Sequence, residues 1–126
     1  MLEKLNIGVD VGGTNIKFGV VSASGTLLFK SSVCTHPAGG GKEILTTITD
    51  NVKQIIKNAG LSLSDVNSVG IGFPGTVDSK KGMVVYAPNI YWKNVAVTRS
   101  VKQNIRKDIF IAQDSRAAAW GEFLVG

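Results

Sequence analysis

Two residue types are nearly missing from this 126-residue chain. Cys34 is its only cysteine and His36 its only histidine. A lone cysteine excludes an intrachain disulfide, and the pair does not make a zinc ligand set. Both are read as residues of a strand end or loop. The lack of disulfides fits a reducing compartment, so a cytoplasmic location is expected. No apolar run is long enough for a signal peptide or a membrane span, so no membrane partner is expected. The net charge is +5, yet the basic residues are scattered from Lys4 to Arg116 with acids between them. No aromatic–basic stripe forms, so no nucleic-acid partner is expected. The positive balance is read as a solvated surface that meets an anionic ligand.

What is present is 44% hydrophobic residues, 18% charged residues and 15 glycines. This composition and length fit a single α/β domain with a real core and many tight turns. Apolar runs at Ile7–Val11, Phe18–Val21 and Leu27–Val33 predict strands joined by tight turns. After Gly39-Gly40-Gly41, residues Ile44, Leu45, Ile48, Val52, Ile55 and Ile56 repeat at helical spacing, and Gly60 is the expected stop. Val66–Phe73 reads as a buried strand ending in Pro74-Gly75. The stretch from Thr76 to Lys93 reads as irregular, with short strands near Val77 and over Met83–Tyr86. Thr98 is the expected cap of a short helix reaching Arg106. Ile109–Ala112 predicts another strand, and Ser115–Phe123 an alanine-rich helix.

Three segments carry chemistry. In Asp10-Val11-Gly12-Gly13-Thr14-Asn15, two glycines permit a sharp bend and close backbone approach to a ligand. Successive N–H groups in such a bend cradle phosphate, Thr14 adds a hydroxyl, and Asp10 is placed to hold magnesium directly or through water. The plain alternative is a glycine-turned β-hairpin. No Walker A pattern exists, and the element that follows reads as a strand. Gly70-Ile71-Gly72-Phe73-Pro74-Gly75 matches the dinucleotide fingerprint in letters only. Pro74 interrupts it, no helix is expected after it, and no acidic residue stands at the ribose position. The segment is either a glycine-rich strand end or a place where backbone approaches a small polar ligand. Asp114 follows the predicted strand Ile109–Ala112 and precedes Ala117-Ala118-Ala119. It fits a helix N-cap and equally a base that takes a hydroxyl proton. The two roles are compatible, because a helix N-terminus favours the ionised carboxylate.

These pieces, in this order, resemble the ROK family (repressors, open reading frames and sugar kinases) over nearly the whole chain. Asp10–Asn15 is similar to the family's first phosphate motif. Gly72–Asp78, Gly82 and Ala87-Pro88-Asn89-Ile90-Tyr91-Trp92 are similar to its sugar-lobe signature. Gln113–Glu122 is similar to the segment holding its catalytic aspartate. The resemblance implies a ribonuclease H-like, actin-like ATPase fold, with residues 1–126 as the N-terminal lobe only and a second lobe absent from this chain. It implies ATP-dependent phosphorylation of a hexose hydroxyl, glucokinase-like, with ATP and magnesium in a cleft between lobes. It implies Asp114 as catalytic base, and Gly75, Asn89, Gln113 and Asp114 as sugar contacts. Asp10, Gly12, Gly13 and Thr14 become the phosphate and magnesium turn. It also implies a homodimeric parent whose zinc ligands, where present, lie beyond these residues.

Tyr91 and Trp92 stand beside the sugar motif and are read as core packing rather than cleft walls. The chain departs from the family pattern at Gln113, where asparagine is usual, and at Arg116, where the usual Asp-Ala-Asn becomes Asp114-Ser115-Arg116. The competing readings are a sugar-sensing regulator of the same family and a sugar-binding relative without catalysis. The regulator reading is disfavoured here because only six residues precede Ile7, too few for a helix-turn-helix domain.

Overall fold

A computed structural model describes residues 4–36 and 40–113. Its main sheet is built from β1 (Leu5–Val11), β2 (Asn15–Val21), β3 (Leu27–Cys34), β4 (Val66–Phe73) and β8 (Asp108–Gln113), in the order β3-β2-β1-β4-β8. β1, β2 and β3 form an antiparallel meander, whereas β4 and β8 run parallel to β1. Parallel neighbours need long crossovers. The first crossover carries α1 (Gly40–Asn58). The second carries a small antiparallel sheet of β5 (Thr76–Asp78), β6 (Met83–Ala87) and β7 (Trp92–Ala96), followed by α2 (Val97–Asn104).

Strand alternation decides which face is covered. Ile7, Val9 and Val11 pair with Val20, Phe18 and Ile16, and Val69 and Ile71 continue the row. All are buried and meet Ile44, Ile48 and Val52 of α1 and Val101 of α2. The opposite face carries Gly8, Gly19, Gly70 and Gly72, with Asn6, Asp10, Lys17 and Ser68 between them. Among the described residues no helix covers it, and Phe110 lies there 58% exposed.

α1 ends as its sequence predicts. Gly60 has φ +73°, its N–H donates to the Lys57 carbonyl, and the Leu61 N–H donates to Ile56. That pair of bonds is the Schellman motif, which satisfies the last carbonyls of the helix. Two expectations fail. Ala96, not Thr98, is the N-cap of α2, and that helix ends at Asn104 rather than Arg106. The Thr98 N–H instead donates to the Gly82 carbonyl, which ties the small sheet to the start of α2. The end of the segment read as irregular, Trp92-Lys93, instead begins β7, a strand made by pairing with β6. The predicted helix Ser115–Phe123 lies outside the described residues. No helix among those described is long and apolar enough to cross a membrane.

Candidate functional site

Three parallel strands, β1, β4 and β8, end at one edge of the sheet. Open α/β sheets bind ligands beyond this carboxyl edge, where the chain turns away and leaves backbone groups free. β1 delivers Asp10 and then the turn Gly12-Gly13-Thr14. β4 delivers Phe73 and then Pro74-Gly75. β8 ends on Gln113, which lies in register with Phe73. Asp10, Gly72 and Ala112 share one cross-strand row. Two strand spacings separate its ends, about 10 Å. Asp114 lies outside the described residues, immediately after Gln113.

The glycine turn has a defined hydrogen-bond plan. The Gly12 N–H donates to the Asn15 carbonyl at 2.9 Å, closing the bend. Thr35, just beyond β3, donates its hydroxyl to the Gly12 carbonyl at 2.8 Å and its N–H to the Thr14 carbonyl at 2.8 Å. The N–H groups of Gly13 and Thr14 have no protein partner among the described residues, and both residues are exposed. A Cβ on Gly12 would come within 2.9 Å of the Asn15 carbonyl, so glycine is required to make the bend. A Cβ on Gly13 would meet only Asn89, at 3.8 Å, an ordinary contact. The turn is followed by a strand, as expected, so no helix N-terminus stands behind it.

That closeness to Asn89 brings the first two motifs side by side. Asn89 is exposed on a single 3-10 turn, Pro88–Ile90, which faces the bare backbone of Gly13. Gly75 lies against Tyr86 and Ala87, the strand end that leads into this turn. Its φ is +89°, and a Cβ there would collide with the Tyr86 carbonyl and the Ala87 backbone. Gly13, Asn89, Ala87 and Gly75 therefore form one continuous wall. Beneath it Trp92 packs against Phe73 with ring centroids 5.1 Å apart. Trp92 is core, as expected. Tyr91 is not: it is 73% exposed, with φ 57° in the left-handed region. That backbone turn sends Trp92 inward and Tyr91 to solvent.

The strand β4 runs through Gly70-Ile71-Gly72 and is followed by Pro74-Gly75 and β5, with no helix. The dinucleotide reading fails on its own structural requirement. Among the described residues there is no cluster of His, Cys, Asp or Glu able to enclose a metal. Cys34 ends β3 and is exposed, and His36 is exposed just after it. Sequence reasoning missed two residues at the edge. Thr35 is one. Lys17 is the other: it pairs directly with Asp10 across β1 and β2 and is exposed on the same face. A hollow of about 570 Å³ lies elsewhere, over Asn6, Gly8, Ser68 and Gly70, and touches the motif segments only at Gly70.

Both sequence and fold have known relatives. The chain is 33% identical over 122 residues to a glucokinase of Streptomyces coelicolor, covering 97% of this chain and 36% of that protein. It is 27% identical over 116 residues to a xylose repressor of Caldicellulosiruptor bescii, covering 92% of this chain and 29% of that one. The crystal structure of a ROK family glucokinase from Streptomyces griseus, in complex with glucose and AMPPNP, superposes with a TM-score of 0.82 at 38% identity. That match covers 97% of this chain and 37% of the glucokinase. The chain thus spans little more than a third of the length of these glucokinases, and its fold is the α/β, actin-like type they share. With its sequence matching the family profile over residues 6–126, the chain belongs to the ROK family.

Proposed function

We propose that residues 1–126 are the N-terminal lobe of an ATP-dependent hexose kinase acting in the cytoplasm, with the remainder of the nucleotide and sugar sites supplied by a second lobe. The observation that carries this reading is the closeness of Asn89 to Gly13, near enough that a Cβ at position 13 would touch it. A donor turn suited to phosphate and an amide suited to hydroxyl groups share one wall at the carboxyl edge. Phosphoryl transfer asks a protein mainly to position two reactants in line and to stabilise charge. Free N–H groups at Gly13 and Thr14, with the Thr14 hydroxyl, hold the phosphate tail. Asn89, which both donates and accepts, reads sugar hydroxyls, and Gly75 and Gln113 complete the contact from β4 and β8. Asp114 takes the proton of the attacking hydroxyl as its oxygen bonds to the terminal phosphorus and ADP departs.

The residues fit magnesium as kinases use it. A half-buried carboxylate, Asp10, stands beside the phosphate turn, and no group of three or more His, Cys, Asp or Glu gathers among the described residues. Magnesium commonly takes one or two carboxylates and completes its shell with phosphate oxygens and water. When bound there it screens the phosphate charge. Lys17, facing Asp10, adds a positive charge from the protein itself.

The test is a coupled ADP-release assay on the full-length protein over a panel of hexoses. Hexose-dependent ADP release is expected, with glucose and related hexoses as substrates. No turnover with any hexose would reject the kinase reading. The similarity to a xylose repressor supports a second reading, a sugar-sensing regulator built on the same lobe. Sequence-specific duplex binding by the full-length protein, released by a sugar, would select it.

A further inference from the structure

The geometry points to Thr35 as a positioning residue for the phosphate turn: its hydroxyl, bonded to the Gly12 carbonyl, holds the Gly13 N–H turned toward the ligand. The inference rests on the kinase reading above and deepens it.

The argument begins with the peptide bond. A trans peptide is planar, so the carbonyl of Gly12 and the N–H of Gly13 point in opposite directions. Fixing one fixes the other. Thr35 is 8% exposed, and its hydroxyl donates to the Gly12 carbonyl at 2.8 Å across 23 positions of sequence. Its own N–H donates to the Thr14 carbonyl at 2.8 Å. One residue therefore takes two of the carbonyls of the bend and turns both toward the protein. Neither Gly12 nor Gly13 carries a Cβ, so without this anchor little resists rotation of the peptide plane between them. A carbonyl oxygen would then point where phosphate oxygens must sit, and two negative dipole ends would oppose each other. With the anchor, the bend offers the N–H groups of Gly13 and Thr14, neither of which has a protein partner among the described residues. The glycine at position 13 agrees with this picture. A methyl group would fit there without collision, so its absence is not required by packing. It leaves room for a ligand to approach the backbone.

The test uses the 126-residue chain, nitrogen-15 labelled, titrated with tripolyphosphate while the amide signals of Gly13 and Thr14 are followed. In the native chain these two signals are expected to shift saturably. Thr35→Val keeps the β-branch and removes the hydroxyl. It is expected to weaken tripolyphosphate binding about five- to tenfold, the loss of roughly one net hydrogen bond. Thr35→Ser restores the hydroxyl and is expected to bind within about twofold of native by the same measure. Thermal melting of each variant separates this effect from unfolding. If Thr35→Val disturbs the strand signals, Thr35→Ala removes the hydroxyl without pressing a methyl on the carbonyl and gives the same comparison. Equal binding by native and hydroxyl-free chains would overturn the role of Thr35 while leaving the phosphate turn intact. Absence of any shift in the native chain would reject the phosphate turn, and Thr35 with it.

Discussion

Gly12 and Gly13 stand side by side in the turn and are glycine for different reasons. At Gly12 a side chain strikes the Asn15 carbonyl within the bend itself. Gly12→Ala is therefore expected to destabilise the chain by about 1–3 kcal/mol, the usual cost of overpacking at a site that cannot relax. At Gly13 a methyl meets Asn89 at ordinary contact distance. Gly13→Ala is expected to melt within a degree or two of native, since a change that neither clashes nor strains stays near ~0.5 kcal/mol. It is nevertheless expected to weaken phosphate binding by blocking the approach. Thermal denaturation beside a tripolyphosphate titration checks both; identical behaviour of the two variants would refute the distinction. Asp114 carries the sharpest catalytic expectation. In the full-length protein, Asp114→Ala is expected to lower kcat by about a hundredfold to ten-thousandfold, the range for loss of a positioned base. Unchanged turnover would remove Asp114 from the proposed mechanism. At this scale the motifs were legible because adjacent letters make the turn. Thr35 was not, because its contact with Gly12 spans 23 positions and depends on how β3 pairs with β2.

Among the elements, the legible ones are those whose own sequence decides their burial. α1 places Ile44, Ile48, Val52, Ile55 and Ile56 on one stripe, and each is buried. Ile48→Ala is expected to cost about 2–5 kcal/mol, read as a lower denaturant midpoint at unchanged slope. β4 was equally clear, since Val69, Ile71 and Phe73 are wholly buried and the strand is central. β7 was not. Its five residues include exposed Lys93 and Asn94, and Asn94 has φ 53°, so neither alternation nor propensity marks it. Pairing with β6 makes it a strand. Thr98 misled for a related reason: the bond from its N–H to Gly82 is tertiary, and local capping letters do not report it. One turn carries its own titration. The Ser62 backbone N–H donates to the Asp65 carboxylate at 2.8 Å, and this bond, with the Ser62 hydroxyl, holds the carboxyl below its ordinary value. A lowered folded-state pKa means the contribution is present above the unfolded value and is lost as pH falls through the folded one. Asp65→Asn is therefore expected to melt slightly below the native chain at neutral pH and to converge with it in acid, where the native carboxyl is protonated. Melting curves followed into acid check it; parallel curves for native and variant would contradict it.

At the scale of the molecule, the proposed site is a rim rather than an enclosure. Gly13, Thr14, Asn89, Gly75 and Gln113 line one edge, and Gly13, Thr14, Asn89 and Gln113 are exposed. Catalysis of phosphoryl transfer depends on excluding water and on donors fixed around the transferring group, which a single open edge does not provide. The glucokinases that match this chain are nearly three times its length, and its residues align with little more than a third of them. The 126-residue chain alone is therefore expected to bind polyphosphate weakly and to phosphorylate no sugar. The two halves of that statement are separable. Amide shifts report binding at the turn, and mass spectrometry of a hexose incubated with the chain, ATP and magnesium reports transfer. Hexose phosphate formed at a rate that scales with chain concentration, and that falls with Asp114→Ala, would show that one lobe suffices, either by itself or by pairing its rim with that of a second copy. Binding without transfer would place the missing stabilisation of the transferring phosphoryl in the second lobe, facing the wall that Gly13 and Asn89 build.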